Sequence, residues 1–216
     1  SETYLNSLDK PIKTEASEVI IDLAKSGNGP LHIAALGCVT NIASALIMAP
    51  EIIKDIVVIW TSSFPSLSPH CNRPSLNLVQ DVIASQLIFD SGVPHVYLPG
   101  YQVGTQLKIS LPEMELFVKG KGEIGDYLYY LYTHNPLHER FATTDTERRT
   151  WVIWDIINIA WLLNPNWVHT FLTSSPILND ELYWEKDENR HLMLEGYELQ
   201  RDEIFLNFYD TLKKAK

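Results

Sequence analysis

Leu31-His32-Ile33-Ala34-Ala35-Leu36, then Gly37-Cys38-Val39-Thr40-Asn41, then Ile42-Ala43-Ser44-Ala45-Leu46-Ile47-Met48 is the stretch whose reading decides the fold. A six-residue apolar run opening just after Gly29-Pro30 and closing at Gly37 reads as a buried strand, because length and flanking turn residues separate it from a helix. Gly37 opens a tight turn, and Thr40 is expected to cap a helix over Asn41–Met48 through its hydroxyl. Strand, tight turn and helix form the repeating unit of a parallel sheet. The same unit extends outward in both directions. Upstream, Glu15–Lys25 reads as a helix stopped by Ser26-Gly27-Asn28-Gly29-Pro30. Downstream come a second buried strand, Asp55–Trp60, a Ser- and Pro-rich loop from Thr61 to Ser75, a helix over Asn77–Phe89, and a third strand, His95–Pro99. Three such steps imply an α/β architecture with ligands beyond the carboxyl ends of the strands, here Gly37, Thr61 and Gly100.

The half from residue 111 onward reads as mainly helical, with helices over Pro112–Lys119, Glu123–Thr133 and Trp151–Leu163, and a closing helix over Asp202–Lys214 that turns Ile204, Phe205, Phe208 and Leu212 inward. A charged loop holds Asp145, Glu147, Arg148 and Arg149. Short pieces near Leu182-Tyr183-Trp184 and Leu192-Met193-Leu194 are expected to form a hairpin. The expected organisation is one domain over 1–216, with residues 1–110 rich in sheet and 111–216 mainly helical.

The chain has 216 residues, 45% of them apolar and 20% charged, enough for a sizeable core and too ordered in composition for a disordered or fibrous protein. A formal net charge of -10 argues against binding a phosphate backbone, so nucleic acid is not an expected partner. No apolar run reaches the roughly 18 to 20 residues of a membrane span, and the N-terminus lacks a basic-then-apolar leader pattern. Two cysteines, Cys38 and Cys71, are too few for a disulfide framework and point to a reducing, cytoplasmic compartment. The chain begins with Ser1, and its first methionine is Met48; a fragment or a processed chain is expected.

Residues able to do chemistry are sparse. There is no HExxH, P-loop, GxSxG or CxxC pair. His70-Cys71 is either half of a transition-metal site or part of a surface loop. Asp155 lies in the apolar run Trp151-Val152-Ile153-Trp154-Asp155-Ile156-Ile157-Asn158, where an ionised carboxylate needs a partner: a metal, Arg148 or Arg149, or the N–H groups of a helix start. Asn77 is either a helix cap or an amide that binds a hydroxyl, and Asp81, one turn later, holds the preceding loop by hydrogen bonds. That long loop at a strand end is itself a functional hint.

These segments, taken in order from about residue 15 to 168, resemble the inosine-uridine-preferring nucleoside hydrolase family, especially its divergent bacterial members. Leu31–Asn41 with Ile42–Leu46 looks like the family's strand and "GPLTNIALAL" turn. Ile56–Ser62 resembles its "VVMGG" strand end, with Thr61-Ser62 in place of two glycines. Asn77–Asp81 and Phe89–Pro94 are similar to "FNIxxDPEAAxxVFxSGVP", and Trp154-Asp155 with Ala160–Pro165 to "HDPLAVAxLxxP".

The resemblance implies a Rossmann-like fold, a mostly parallel sheet flanked by helices, a bound calcium ion, and hydrolysis of the N-glycosidic bond of nucleosides to base and ribose. Such a reaction needs ribose hydroxyls held firmly, a positioned water and a stabilised departing base. By position, Asp155 corresponds to the family's late calcium-ligating aspartate, Trp60 to a strand-end residue whose backbone carbonyl contacts the calcium, and Asn77 to the ribose-binding asparagine. Ser75 stands where the family has a ribose-binding glutamate. Trp154 stands where a histidine often precedes the aspartate, and its indole either stacks on a base or fills the core. The aspartate-rich "DxDxxxDD" turn that supplies most calcium ligands and the general base is absent from 1–216, and the expectation is that it precedes Ser1 together with the first strand. The expected partner is a nucleoside or ribose-like ligand, the expected assembly a homo-oligomer, and the 216-residue chain by itself is expected to be inactive. The alternative is a non-catalytic binding or scaffold protein on the same fold with a degraded metal site.

Overall fold

A computed structural model describes residues 3–135 and 150–215. The charged loop with Asp145, Glu147, Arg148 and Arg149 lies outside the described residues. The centre is a five-stranded sheet in the order β1 (Leu31–Ala35), β2 (Ile56–Ser62), β3 (His95–Pro99), β9 (Leu192–Leu199), β6 (Val168–Ser174). The first four strands run parallel and β6 runs antiparallel to β9. Each of the first two crossovers passes through a helix, α2 (Thr40–Met48) between β1 and β2 and α4 (Val82–Asp90) between β2 and β3. Helix α1 (Glu15–Ser26) precedes β1 and starts on a reciprocal cap between Thr14 and Ser17.

Side chains alternate between the two faces, and each face has its own core. Val58, Trp60 and Tyr97 pack with Ile42, Leu46, Leu78, Ile88 and Phe89 on one side. Ile59, Val96 and Leu98 pack with Ile157, Ile204, Phe205 and Leu212 on the other. Because both faces are covered, β2 and β3 are continuous apolar runs rather than alternating ones, which is how the sequence reads. Removing a side chain such as Ile59 or Leu98 from water contributes about 1.5–3 kcal/mol.

Several expectations are corrected. β2 runs two residues further than Asp55–Trp60, since Thr61 and Ser62 pair with Leu98 and Pro99. The helix expected over 77–89 breaks into α3 (Leu76–Val79) and α4, because the Asp81 side chain accepts from Ala84 N at 2.9 Å and so starts a new helix. Thr40 does not cap α2; its hydroxyl goes to Asp81 Oδ2 at 2.5 Å, and Asp81 also accepts from Leu5 N at 2.9 Å. A short ladder of β4 (Lys108–Ser110) and β5 (Thr150–Val152) takes up Trp151 and Val152, so the helix expected from Trp151 starts only at Ile156. The 182–184 and 192–194 pieces do not pair with each other: β8 (Trp184–Glu185) pairs with β7 (Ile177–Leu178), and β9 enters the main sheet. The half from residue 111 onward, with more helix than strand among the described residues, also supplies two strands of the main sheet. Its helices are α5 (Leu111–Glu113), which continues into a wider turn over Met114–Val118, then α6 (Gly122–Thr133), α7 (Ile156–Leu163) and α8 (Arg201–Lys214).

Candidate functional site

A cavity of about 660 Å³ opens at the carboxyl ends of the three adjacent parallel strands. Its floor is Leu36 after β1, Thr61 and Ser62 at the end of β2, and Gly100 after β3. Its walls include Ser63, Ser75 and Asn77, together with Tyr101, Trp151, Trp154 and Asp155. The cavity lies where the topology of an open parallel sheet requires it, since the loops leaving the strands diverge there.

Beside Pro74 and Leu76, the wall from Ser62 to Asn77 carries hydroxyls and amides that bond the protein. Ser75 Oγ accepts from Ser63 N at 2.9 Å and shares a 3.0 Å hydrogen bond with Ser62 Oγ. Ser63 stands at φ 49°, a left-handed conformation rare for serine, and its hydroxyl bonds the buried Asn72 side chain. Asn77 is not the cap of its helix. Its Nδ2 donates to the Thr61 carbonyl at 3.1 Å, and its Oδ1 has no partner among the described residues. Thr61 Oγ1 is buried with no hydrogen-bond partner among the described residues.

The rest of the lining brings aromatic rings and one carboxylate. Trp154 is half-buried and meets Tyr101 edge-on, ring centroids 5.6 Å apart. Asp155 sits at the N-terminal boundary of α7 but caps no N–H there, so the capping alternative is excluded, while Arg148 and Arg149 lie outside the described residues. Partial burial pushes its carboxyl above the usual carboxylate range. One turn along, buried Asn158 donates to the Ala35 carbonyl at 2.8 Å and so ties α7 to the end of β1. Asn158 is a position that sequence reasoning missed, although an Asn inside Ile156-Ile157-Asn158-Ile159-Ala160 is a visible anomaly.

The structure brings Asn77, Ser75, Trp154 and Asp155 around one cavity. It does not bring Trp60 to it. Trp60 lies inside β2, level with Ala35 and Tyr97, fully buried, and its indole N–H supports the β1–α2 turn through Gly37 O at 2.8 Å. The strand ends that reach the cavity are Leu36, Thr61 with Ser62, and Gly100. His70 is exposed and shares a 2.8 Å hydrogen bond with Ser68, while Cys71 contacts the Glu181 carbonyl at 3.5 Å, so this pair gathers no ligand set. Among the described residues no three His, Cys, Asp or Glu side chains converge as for a metal ion. Calcium takes six to eight oxygen ligands, several of them carboxylates. Here one carboxylate faces the cavity, and the Ser62, Ser63 and Ser75 hydroxyls are engaged with protein. The described donor set does not fit calcium.

Residues 2–200 match the inosine-uridine preferring nucleoside hydrolase family. A probable uridine nucleosidase 2 of Arabidopsis thaliana is 27% identical over 122 residues, 55% of this chain and 37% of that protein. An uncharacterized protein of Schizosaccharomyces pombe is 32% identical over 87 residues, 39% of this chain and 28% of that one. The matches thus span well under half the length of these relatives. Among solved structures, a plant nucleoside hydrolase superposes with a TM-score of 0.75 at 17% identity over 94% of this chain and 68% of that one. A purine-preferring ribonucleoside hydrolase from Gardnerella vaginalis gives 0.74 at 20% identity over 94% and 66%. These superpositions carry the fold.

Proposed function

The chain belongs to the inosine-uridine preferring nucleoside hydrolase family, and from that premise we propose that its cavity binds a nucleoside or ribose-like ligand and that the whole protein hydrolyses the N-glycosidic bond. The observation that carries the reading is the convergence of Asn77, Ser75, Trp154 and Asp155 on one cavity at the strand ends. In the proposed arrangement Asn77 Oδ1 and Asp155 accept bonds from sugar hydroxyls, and Trp154 with Tyr101 offers aromatic surface to the base. Calcium, which the family resemblance implies, would need more oxygen ligands than the described residues bring to Asp155, so no step is routed through it. Cytoplasmic residence is part of the proposal, supported by two unpaired cysteines. A homo-oligomer is also proposed, to be read by sedimentation.

A single cavity carboxylate favours a second reading, a binding protein on the same fold, because glycoside hydrolysis ordinarily employs two acidic groups. The 216-residue chain is expected to bind inosine or uridine calorimetrically and to release no reducing sugar from either. Sugar release that disappears in Asp155→Ala would overturn the expected inactivity. A chain that binds neither nucleoside would remove the basis of both readings.

A further inference from the structure

The loop from Ser63 to Ser75, long for a connection in a parallel sheet, is anchored by residues more than a hundred positions later in the chain. Glu195 in β9 is 2% exposed, and its carboxylate accepts from both the backbone N–H of Ser66, at 2.8 Å, and the Ser66 hydroxyl. Two turns of the same loop are tied nearby. The Phe64 carbonyl accepts from Tyr97 OH at 2.6 Å and from Trp184 Nε1 at 2.9 Å, and Asn72 N donates to the Leu182 carbonyl at 2.7 Å. On the cavity side the same residues carry the wall. The Phe64 ring stacks on Tyr101 with centroids 4.4 Å apart, Tyr101 OH donates to the Pro74 carbonyl at 3.0 Å, and Asn72 holds Ser63.

We infer that Glu195 is a positioning residue for the cavity: by holding Ser66 it fixes the loop in the course that presents Ser63 and Ser75 to a ligand and braces Tyr101 beside them. A buried carboxylate is a costly way to tie a loop unless its oxygens are satisfied, and here both are, by a single residue of the loop. Burial pushes the Glu195 carboxyl above its usual range while the Ser66 bonds pull it down. Ser63 holds its left-handed backbone only while its neighbours over-determine it, and the Ser66 anchor lies three residues away. That the wall serves a ligand rests on the proposed function; that the loop is anchored does not.

Amide exchange resolved by residue in the 216-residue chain, with Glu195→Gln, Ser66→Ala and, as a control, Glu198→Gln on an exposed position of the same strand, tests this. Exchange at Ser63 and Ser75 is expected to rise about tenfold in the first two variants, as local opening follows the loss of a buried hydrogen bond, with β3 amides unchanged. Inosine affinity should fall about tenfold in the same two variants, the same loss read at the ligand, and hold in Glu198→Gln. If only the Ser66 amide responds, or if exchange rises equally through β3, the positioning role is overturned. Should Glu195→Gln fail to fold, Ser66→Ala decides. Absence of inosine binding by the unaltered chain would count against the proposed function and leave the exchange result to judge the anchor.

Discussion

Asp155 contributes the negative charge of the cavity wall, and its protonation sets what the cavity can accept. Burial raises its folded pKa, so the ionised form is disfavoured in the folded chain; this destabilisation is present above the folded pKa and fades as pH falls through the carboxylate range. Asp155→Asn is therefore expected to raise the thermal midpoint at pH 7, and by less at about pH 4, where more of the native carboxyl is protonated. An equal gain at both values would show that burial of the charge is not the cause. Ligand binding through the carboxylate has the opposite sign and should weaken as pH falls. Ser75 and Trp154 entered only through the family resemblance; Asp155 and Asn77 were visible as polar residues within or beside apolar patterns. Glu195 was not. In Leu192-Met193-Leu194-Glu195 a glutamate reads as the solvent-facing member of an alternation, and only burial of β9 on both faces turns it inward.

At the scale of elements, local rules held wherever no distant partner competed. β3 falls on His95–Pro99 as read, and α8 on 201–214, one residue longer than expected. They failed where a side chain chose a tertiary partner over its own helix, as Thr40 does for Asp81, or where an apolar run with helical spacing was taken into a ladder, as Trp151 and Val152 are by Ile109 and Lys108. Gly125 in α6 gives a similar competition with a predictable winner. Alanine is favoured over glycine in a helix interior by about 1 kcal/mol. A Cβ on Gly125, however, would run into the backbone carbonyl of Val118, which cannot swing away like a side chain. Gly125→Ala should thus lower the midpoint of thermal unfolding despite its propensity gain, and a raised midpoint would mean that α6 and the 114–118 turn sit further apart than described.

The whole molecule is two cores sharing one sheet, and this was only half legible. The parallel order of β1, β2 and β3 follows from strand–helix repeats that are local in sequence. Placing β9 beside β3, and β6 outside it, depends on pairings that no local pattern encodes. The consequence is mechanical. Ile59, Val96 and Leu98 face α7 and α8, while their immediate neighbours Val58, Trp60 and Tyr97 face α2 and α4, so neither layer can loosen without disturbing strands that the other needs. Phe205→Ala, deep in the second core, should cost about 3–5 kcal/mol. If the sheet couples the faces, global opening transmits that loss, and amide exchange in α2 accelerates as much as exchange in α8. Exchange that accelerates in α8 alone would mean that the two layers open independently. The cavity floor, built from β1, β2 and β3, would then be held by the first core without help from the second.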